Sequence, residues 1–323
     1  MPSPNPGRWQ VVAESVQGPG KPANQDRHGH WVSEDGARAL LVVADGHGAR
    51  AHPRSDVGAE LAVAAFLDVA GGFCASLPAE TSLKRLKFRA EEDLPRDLVR
   101  AWRARVAEHL RAHPVPDAPP ASGEVGAEEL TMYGSTLIGA LLTPGLILAW
   151  QLGDGDFCLA GHDGAVATPL DGRGPVYGDE TDSLCTANAH RLVRMYWAPQ
   201  AADAAPPGLV ALSTDGLSNS FLGRDGHLEF VADVHRLVER NGIGKVGAEL
   251  PAWLERASSF SGDDTTFVAA WFGPSPEPEA VADPPPAPDP EPEPGPTPAP
   301  EIGTGPPAAP DPRDDWTPER ETR

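Results

Sequence analysis

The 323-residue chain is short of cysteine, of lysine and of long apolar runs. Its three cysteines, Cys74, Cys158 and Cys185, show no C-x-x-C spacing. That argues against a disulfide framework or a zinc site and fits a reducing compartment. The most apolar stretch, Thr136 to Leu152, is broken by Thr143-Pro144-Gly145, so it reads as a hairpin and not as a membrane span. The opening Met1-Pro2-Ser3-Pro4-Asn5-Pro6 lacks the basic patch and apolar core of a signal peptide. A cytoplasmic location is expected. No P-loop, G-x-S-x-G elbow, H-E-x-x-H or strand-linked G-x-G-x-x-G is present, and no internal repeat is visible. Only 4 basic residues are lysine against 22 arginines. With much Ala, Gly and Pro, this composition points to a GC-rich, bacterial genome.

Apolar residues make up 40% of the chain, enough for a substantial core, and the formal net charge is −21. Such an acidic balance argues against nucleic acid and against anionic membranes as partners, since both need a basic surface. The charge is uneven. From Pro274 to Arg323 there are 18 of the 37 prolines, 12 acids and 3 bases, a local charge of −9. Too few large apolar residues remain there to offset the entropy of ordering. The expected organisation is a flexible start over 1–8, one folded domain over 9–273 and a disordered, acidic, Pro-rich tail over 274–323.

Within the domain, Trp9 to Val16 and Arg38 to Ala44 read as strands, with Asp45 at the end of the second. Ser55 to Val69 carries a helical stripe. Leu83 to His113 is helical with an interruption near Pro95, and His113 to Leu130 is loop-like. Tyr133 to Leu142 and Leu146 to Leu152 form a hairpin around Thr-Pro-Gly. Strands follow at Phe157 to Ala160, Arg191 to Trp197 and Gly208 to Ser213. His235 to Arg240 and Gly244 to Arg256 are helical, and Thr265 to Trp271 is a closing strand. This order is α+β rather than strictly alternating. Two sheets packed together with helices outside would satisfy it.

Five acidic motifs stand out, most of them at the ends of apolar runs: Asn24-Gln25-Asp26, Val43-Ala44-Asp45-Gly46-His47-Gly48, Leu152-Gly153-Asp154-Gly155-Asp156, Leu212-Ser213-Thr214-Asp215-Gly216 and Gly262-Asp263-Asp264-Thr265-Thr266. Singly, Asp-Gly is the commonest turn dipeptide, and it recurs at Asp35-Gly36, Asp163-Gly164, Asp171-Gly172 and Asp225-Gly226. Together the five motifs suggest a chelate of hard carboxylate oxygens suited to Mg²⁺ or Mn²⁺. Asp45 and Asp215 each follow an apolar strand, and Asp263 is expected to begin the last one. Gly46 could add its carbonyl. His47, whose ordinary pKa lies near neutrality, is the candidate to protonate a leaving alkoxide.

In this order, with Tyr133-Gly134-Ser135-Thr136 between the second and third motifs, the set resembles the PPM family of metal-dependent serine/threonine phosphatases, the protein phosphatase 2C kind. The resemblance covers about residues 9 to 272. It implies a four-layer α-β-β-α sandwich of two antiparallel sheets flanked by helices. It further implies hydrolysis of phosphoserine or phosphothreonine in proteins by a water bridging two Mg²⁺ or Mn²⁺ ions. Carried onto this chain, Asp45 would bridge the ions and Gly46 would give its carbonyl. Asp215 and Asp263 would complete one shell, Asp26 would act through waters, and His47 would be the general acid. Asp154 would match a third, weaker metal position. Gln25 stands where the family often has Glu. Lys21, four residues before it, takes the place of the family's phosphate-binding Arg as a point charge without the bidentate fork; Arg27 and Arg50 are the other nearby bases. Gly172 to Asn188 resembles the flap of a bacterial branch whose gene often lies near a serine/threonine kinase, with an ordinary surface loop as the other reading. The implied partners are a phosphoprotein substrate and such a kinase or its targets, with a monomer expected. The rival functions are a catalytically weak, phosphatase-like sensor or scaffold, and a calcium-stabilised structural domain.

Overall fold

The structure is a computed structural model that describes residues 7–79, 82–115, 125–171, 182–201 and 206–274. The expected tail beyond Pro274, residues 172–181 of the expected flap and residues 1–6 lie outside the described residues. In chain order the elements are β1 (Arg8–Val16), β2 (Asp26–Val32), β3 (Ala39–Asp45), α1 (Ser55–Ser76), α2 (Leu83–Phe88), α3 (Leu94–Ala112), α4 (Ala127–Thr131), β4 (Leu137–Thr143), β5 (Leu146–Leu152), β6 (Asp156–Ala160), β7 (Val166–Ala167), β8 (Arg194–Pro199), β9 (Leu209–Ser213), α5 (Asp215–Ser218), α6 (Arg224–Asn241), α7 (Ile243–Ser261) and β10 (Thr265–Gly273). They build two five-stranded sheets, β1-β10-β9-β6-β7 and β2-β3-β4-β5-β8. Every pairing is antiparallel.

Strand alternation creates the layers. Successive side chains point to opposite faces. Along β3, Leu40, Val42 and Ala44 join one buried cluster with Phe66 of α1 and Leu98 and Trp102 of α3. Ala39, Leu41 and Val43 join another, with Val210 and Leu212 of β9 and Val268 and Ala270 of β10. The second cluster is the seam between the two sheets. On the far side, Ala211, Phe267 and Ala269 pack with Val231 and Val234 of α6 and Leu250 and Leu254 of α7. The result is the helix–sheet–sheet–helix order expected. α1 is long and apolar enough to cross a membrane, with a mean hydropathy of 1.6 over its best 18-residue window. Its Ala59, Ala62, Ala65, Phe66 and Ala70 are buried in the core.

Several elements depart from the sequence expectation: the short α4 forms at the end of the segment read as loop-like, and β7 and α5 were not anticipated. β2 was not anticipated, because Asp26-Arg-His-Gly-His-Trp-Val32 is polar and lies on a sheet edge, half-exposed along most of its length. α6 begins at Arg224, eleven residues before the expected start, and absorbs Asp225-Gly226 into its first turn. The break near Pro95 is a π-helical turn, Arg89–Asp93, running straight into α3. In that turn Leu94 donates to the Arg89 carbonyl, an i→i−5 bond. Pro95, next in the same register, has no N–H for the Ala90 carbonyl. Trp150 Nε1 supplies the missing donor at 2.7 Å.

Candidate metal centre

One edge of the sandwich gathers the acidic motifs. Asp26 opens β2, and its register partner across the ladder is Asp45, the last residue of β3. Asp215 is not at a strand end: β9 stops at Ser213, and Asp215 starts the short α5. Asp263 likewise precedes β10, which begins at Thr265. Both connections still deliver their carboxylates to the same place as Asp45. Lys21, Asp45, His47, Asp154, Asp215 and Asp263 line one cleft of about 850 Å³.

The backbone around Asp45 is tightly held. Its N–H donates to Thr136 Oγ1 at 3.1 Å, and its carbonyl accepts from the Thr136 N–H at 2.8 Å. The Gly46 N–H donates to the Gln25 carbonyl at 3.1 Å. A side chain at Gly46 would run into the Ser55 carbonyl, 2.5 Å from where its Cβ would stand, so the close approach requires glycine. Gln25 is a brace rather than a cleft residue. Its amide donates to Ser55 Oγ at 2.6 Å and to the His47 carbonyl at 3.4 Å.

Asp26 lies behind the cleft and is only 2% exposed. Thr214 Oγ1 and Thr266 Oγ1 donate to its Oδ2 at 2.7 and 2.8 Å. Burial nevertheless pushes its pKa up to about 7, the two threonines working against that shift. Burial also raises Asp45 well above the carboxylate range, with Asp26, Asp215 and Asp263 adding like charge. Asp215 is raised by burial and then by Asp154 and Asp263, while Asn219 donates to its Oδ2 at 3.1 Å. Desolvated carboxylates this close to one another disfavour their own ionised forms. Hard divalent cations relieve that repulsion, so the donor set fits Mg²⁺ or Mn²⁺.

Asp264, quoted in its motif but given no role from sequence, organises the loop carrying Lys21 and Gln25. Its Oδ1 accepts from the Gly18 N–H at 2.8 Å and its Oδ2 from the Gln25 N–H at 2.7 Å. Only its burial, invisible in sequence, separates it from Asp263. Lys21 pairs with Asp263 and sits 3.7 Å from Asp264 Oδ2. Burial acts to lower its pKa, but Asp263, Asp264 and Asp45 raise it on balance. Arg27 is turned away, its Nη1 donating to the carbonyls of Asn24 and Asp26.

His47 requires a correction. Its pKa is not near neutrality: burial and the neighbouring His52 lower it to about 4, with Asp154 pulling the other way. The ring centroids of His47 and His52 are 4.9 Å apart. The shift favours the uncharged imidazole.

A family model described as protein phosphatase 2C matches residues 20–255. The chain belongs to the protein phosphatase 2C family. Among solved structures of similar fold is a bacterial serine phosphatase, at 16% identity and a TM-score of 0.52, covering 84% of this chain and 100% of that one. Serine/threonine phosphatase Stp1 from Staphylococcus aureus gives 16% identity and 0.52, covering 84% and 98%. The catalytic domain of serine threonine protein phosphatase PstP, solved with two manganese ions, gives 18% and 0.50, covering 82% and 98%. At these identities the likeness establishes the family's fold, two antiparallel sheets between helices. No curated protein sequence matches the chain.

Proposed function

We propose that this chain hydrolyses phosphoserine or phosphothreonine in proteins with the help of Mg²⁺ or Mn²⁺. The observation that carries the reading is the convergence of Asp45, Asp154, Asp215 and Asp263 on one cleft, two of them with raised pKa values. Asp45, the Gly46 carbonyl, Asp215 and Asp263 would hold the ions, with Asp26 behind them and Asp154 at a further position. When bound, such ions act as Lewis acids and lower the pKa of water.

The remaining chemistry belongs to the side chains. The phosphorus–oxygen bond to the serine or threonine breaks as water adds to phosphorus, and the leaving oxygen takes up a proton. Lys21, at the cleft edge and paired with Asp263, would offer its ammonium to the phosphate if Asp263 held a cation instead. If His47 is the acid, its protonated ring would give a proton to the leaving oxygen and return to the neutral imidazole; Asp154 favours that protonated form, while burial and His52 oppose it. The acidic chain disfavours nucleic acid, so a phosphoprotein, a serine/threonine kinase or a kinase target is the expected partner. Cys74, Cys158 and Cys185 are all free, which supports a reducing cytoplasm.

A sensor or scaffold is the second reading, favoured by the Lys21 ammonium resting on Asp263 as a built-in cation. Phosphate release from a panel of phosphopeptides with Mn²⁺ separates the two. Turnover lost in Asp215→Asn supports the enzyme, and no turnover in the parent chain at any Mn²⁺ concentration supports the scaffold.

A further inference from the structure

At the opposite end of β6 and β9 from Asp154 and Asp215, three side chains meet that the cleft does not use. His235 and Glu239 are one turn apart on α6 and share a face. His162 sits on the turn between β6 and β7, which is closed by the Gly161 N–H to the Ala165 carbonyl at 2.8 Å. One ligand atom from each of the three lies within 4.8 Å of the others. His235 Nε2 is 3.4 Å and His162 Nδ1 is 3.9 Å from Glu239 Oε1.

His235 is the telling residue. It is 1% exposed, and neither ring nitrogen has a hydrogen-bond partner among the described residues. A buried imidazole in that state loses its hydration without a hydrogen bond in return, and the Glu239 carboxylate 3.4 Å from Nε2 is its nearest polar neighbour. His162 is already oriented. Its Nε2 donates to the Pro206 carbonyl at 3.0 Å, which leaves Nδ1 turned toward Glu239. The contact between Nδ1 and the Glu239 carboxylate is closed by a cation between them, a proton or a metal ion. The backbone-anchored second nitrogen is also the usual support of a metal-bound histidine. The chain passes close to this ring at Gly208, where a Cβ would stand 2.2 Å from His235 Nε2.

We propose that His162, His235 and Glu239 form a second divalent-metal site, separate from the aspartate cleft and suited to zinc. Two imidazoles and a carboxylate are a common zinc donor set, and ligands about 2.1 Å from a tetrahedral ion stand about 3.4 Å apart. The His235–Glu239 spacing already matches that value, and His162, 54% exposed, has freedom to close the rest. The cysteine spacing gave no zinc signal because the ligands are histidines brought together by the fold. The bound ion pins the β6–β7 turn to α6, and its fourth position faces solvent between the half-exposed His162 and Glu239.

The test uses the full chain, stripped with EDTA, re-equilibrated with Zn²⁺ and dialysed. Bound zinc is measured by atomic emission beside the Zn²⁺-induced change in Tm, in wild type, His162→Ala, Glu239→Gln and Asp45→Asn. The first two replace half-exposed side chains, so the fold survives. The expected result is one zinc fewer in His162→Ala and in Glu239→Gln than in wild type, with that zinc and its Tm rise retained in Asp45→Asn. Mn²⁺-dependent phosphatase activity should be the same in His162→Ala as in wild type. Equal zinc content in wild type and both variants, or zinc lost only in Asp45→Asn, overturns the proposal while leaving the aspartate reading standing.

Discussion

Val43 and Asp45 are two residues apart on β3, and burial means opposite things for them. Val43 is 1% exposed and fills the seam between the sheets. Asp45 ends the same strand half-buried at the sandwich edge, where desolvation raises its pKa and sets it against Asp26, Asp215 and Asp263. The interior turns desolvation into stability. The edge turns the same desolvation into a standing demand for cations. The ladder between β2 and β3 sets Asp26 opposite Asp45, and short connections next to β9 and β10 bring Asp215 and Asp263 to them.

The sharpest test of this contrast is to discharge the edge. Asp45→Asn or Asp215→Asn should cut Mn²⁺-dependent hydrolysis of p-nitrophenyl phosphate by at least about a hundredfold. Neither should lower Tm in EDTA, since each removes a repelling charge. Wild-type activity in Asp215→Asn would sink the proposed centre. In the seam, Leu41→Ala should instead cost about 2–5 kcal/mol of stability by urea unfolding. Whatever fraction remains folded should retain its kcat. A Leu41→Ala chain as stable as wild type would mean that the seam is not the core.

The pH dependence joins the two regions. Asp26 has an ordinary pKa of 3.8 and a folded value of about 7, so between those limits the folded chain binds a proton that the unfolded chain does not. Raising pH through this window therefore destabilises the metal-free fold, and Asp45 and Asp215 act in the same direction. His47 has the opposite sign. Its pKa falls from 6.5 to about 4 on folding, so stability is lost as pH falls through that range. Because cations compete with protons at the carboxylates, the rise in Tm on adding Mn²⁺ should be larger at pH 8 than at pH 5. A rise independent of pH would break the link between edge burial and cation demand.

Two smaller effects sharpen the picture. If Lys21 holds the substrate phosphate, Lys21→Ala should raise KM several-fold with less change in kcat, because the contact exists before and during reaction. Lys21→Arg should restore it. A KM unchanged in Lys21→Ala would move the contact to another base. Ending the chain at Gly273, the last residue of β10, should leave kcat on a small phosphate ester unchanged. A drop in folding would show that the domain needs residues beyond that strand.

The sequence alone determined the α+β order, the central hairpin, the buried β3 and the identities of the acidic residues, because apolar periodicity and strand-end turns are local properties. It did not determine β2, whose polar residues look like loop until β3 supplies a ladder beside them. It also hid the start of α6, since Asp225-Gly226 is a turn signal that tertiary packing overrides. The strand-end picture of Asp215 and Asp263 gave way to short connections that reach the same cleft. Asp264, Thr214 and Thr266 acquired their bracing roles only once segments more than 180 residues apart met at Asp26 and the Lys21 loop. Whether an aspartate is ligand or brace, and whether His47 is charged, depends on burial and neighbouring charge. Those are three-dimensional quantities, and only the packing of the two sheets sets them.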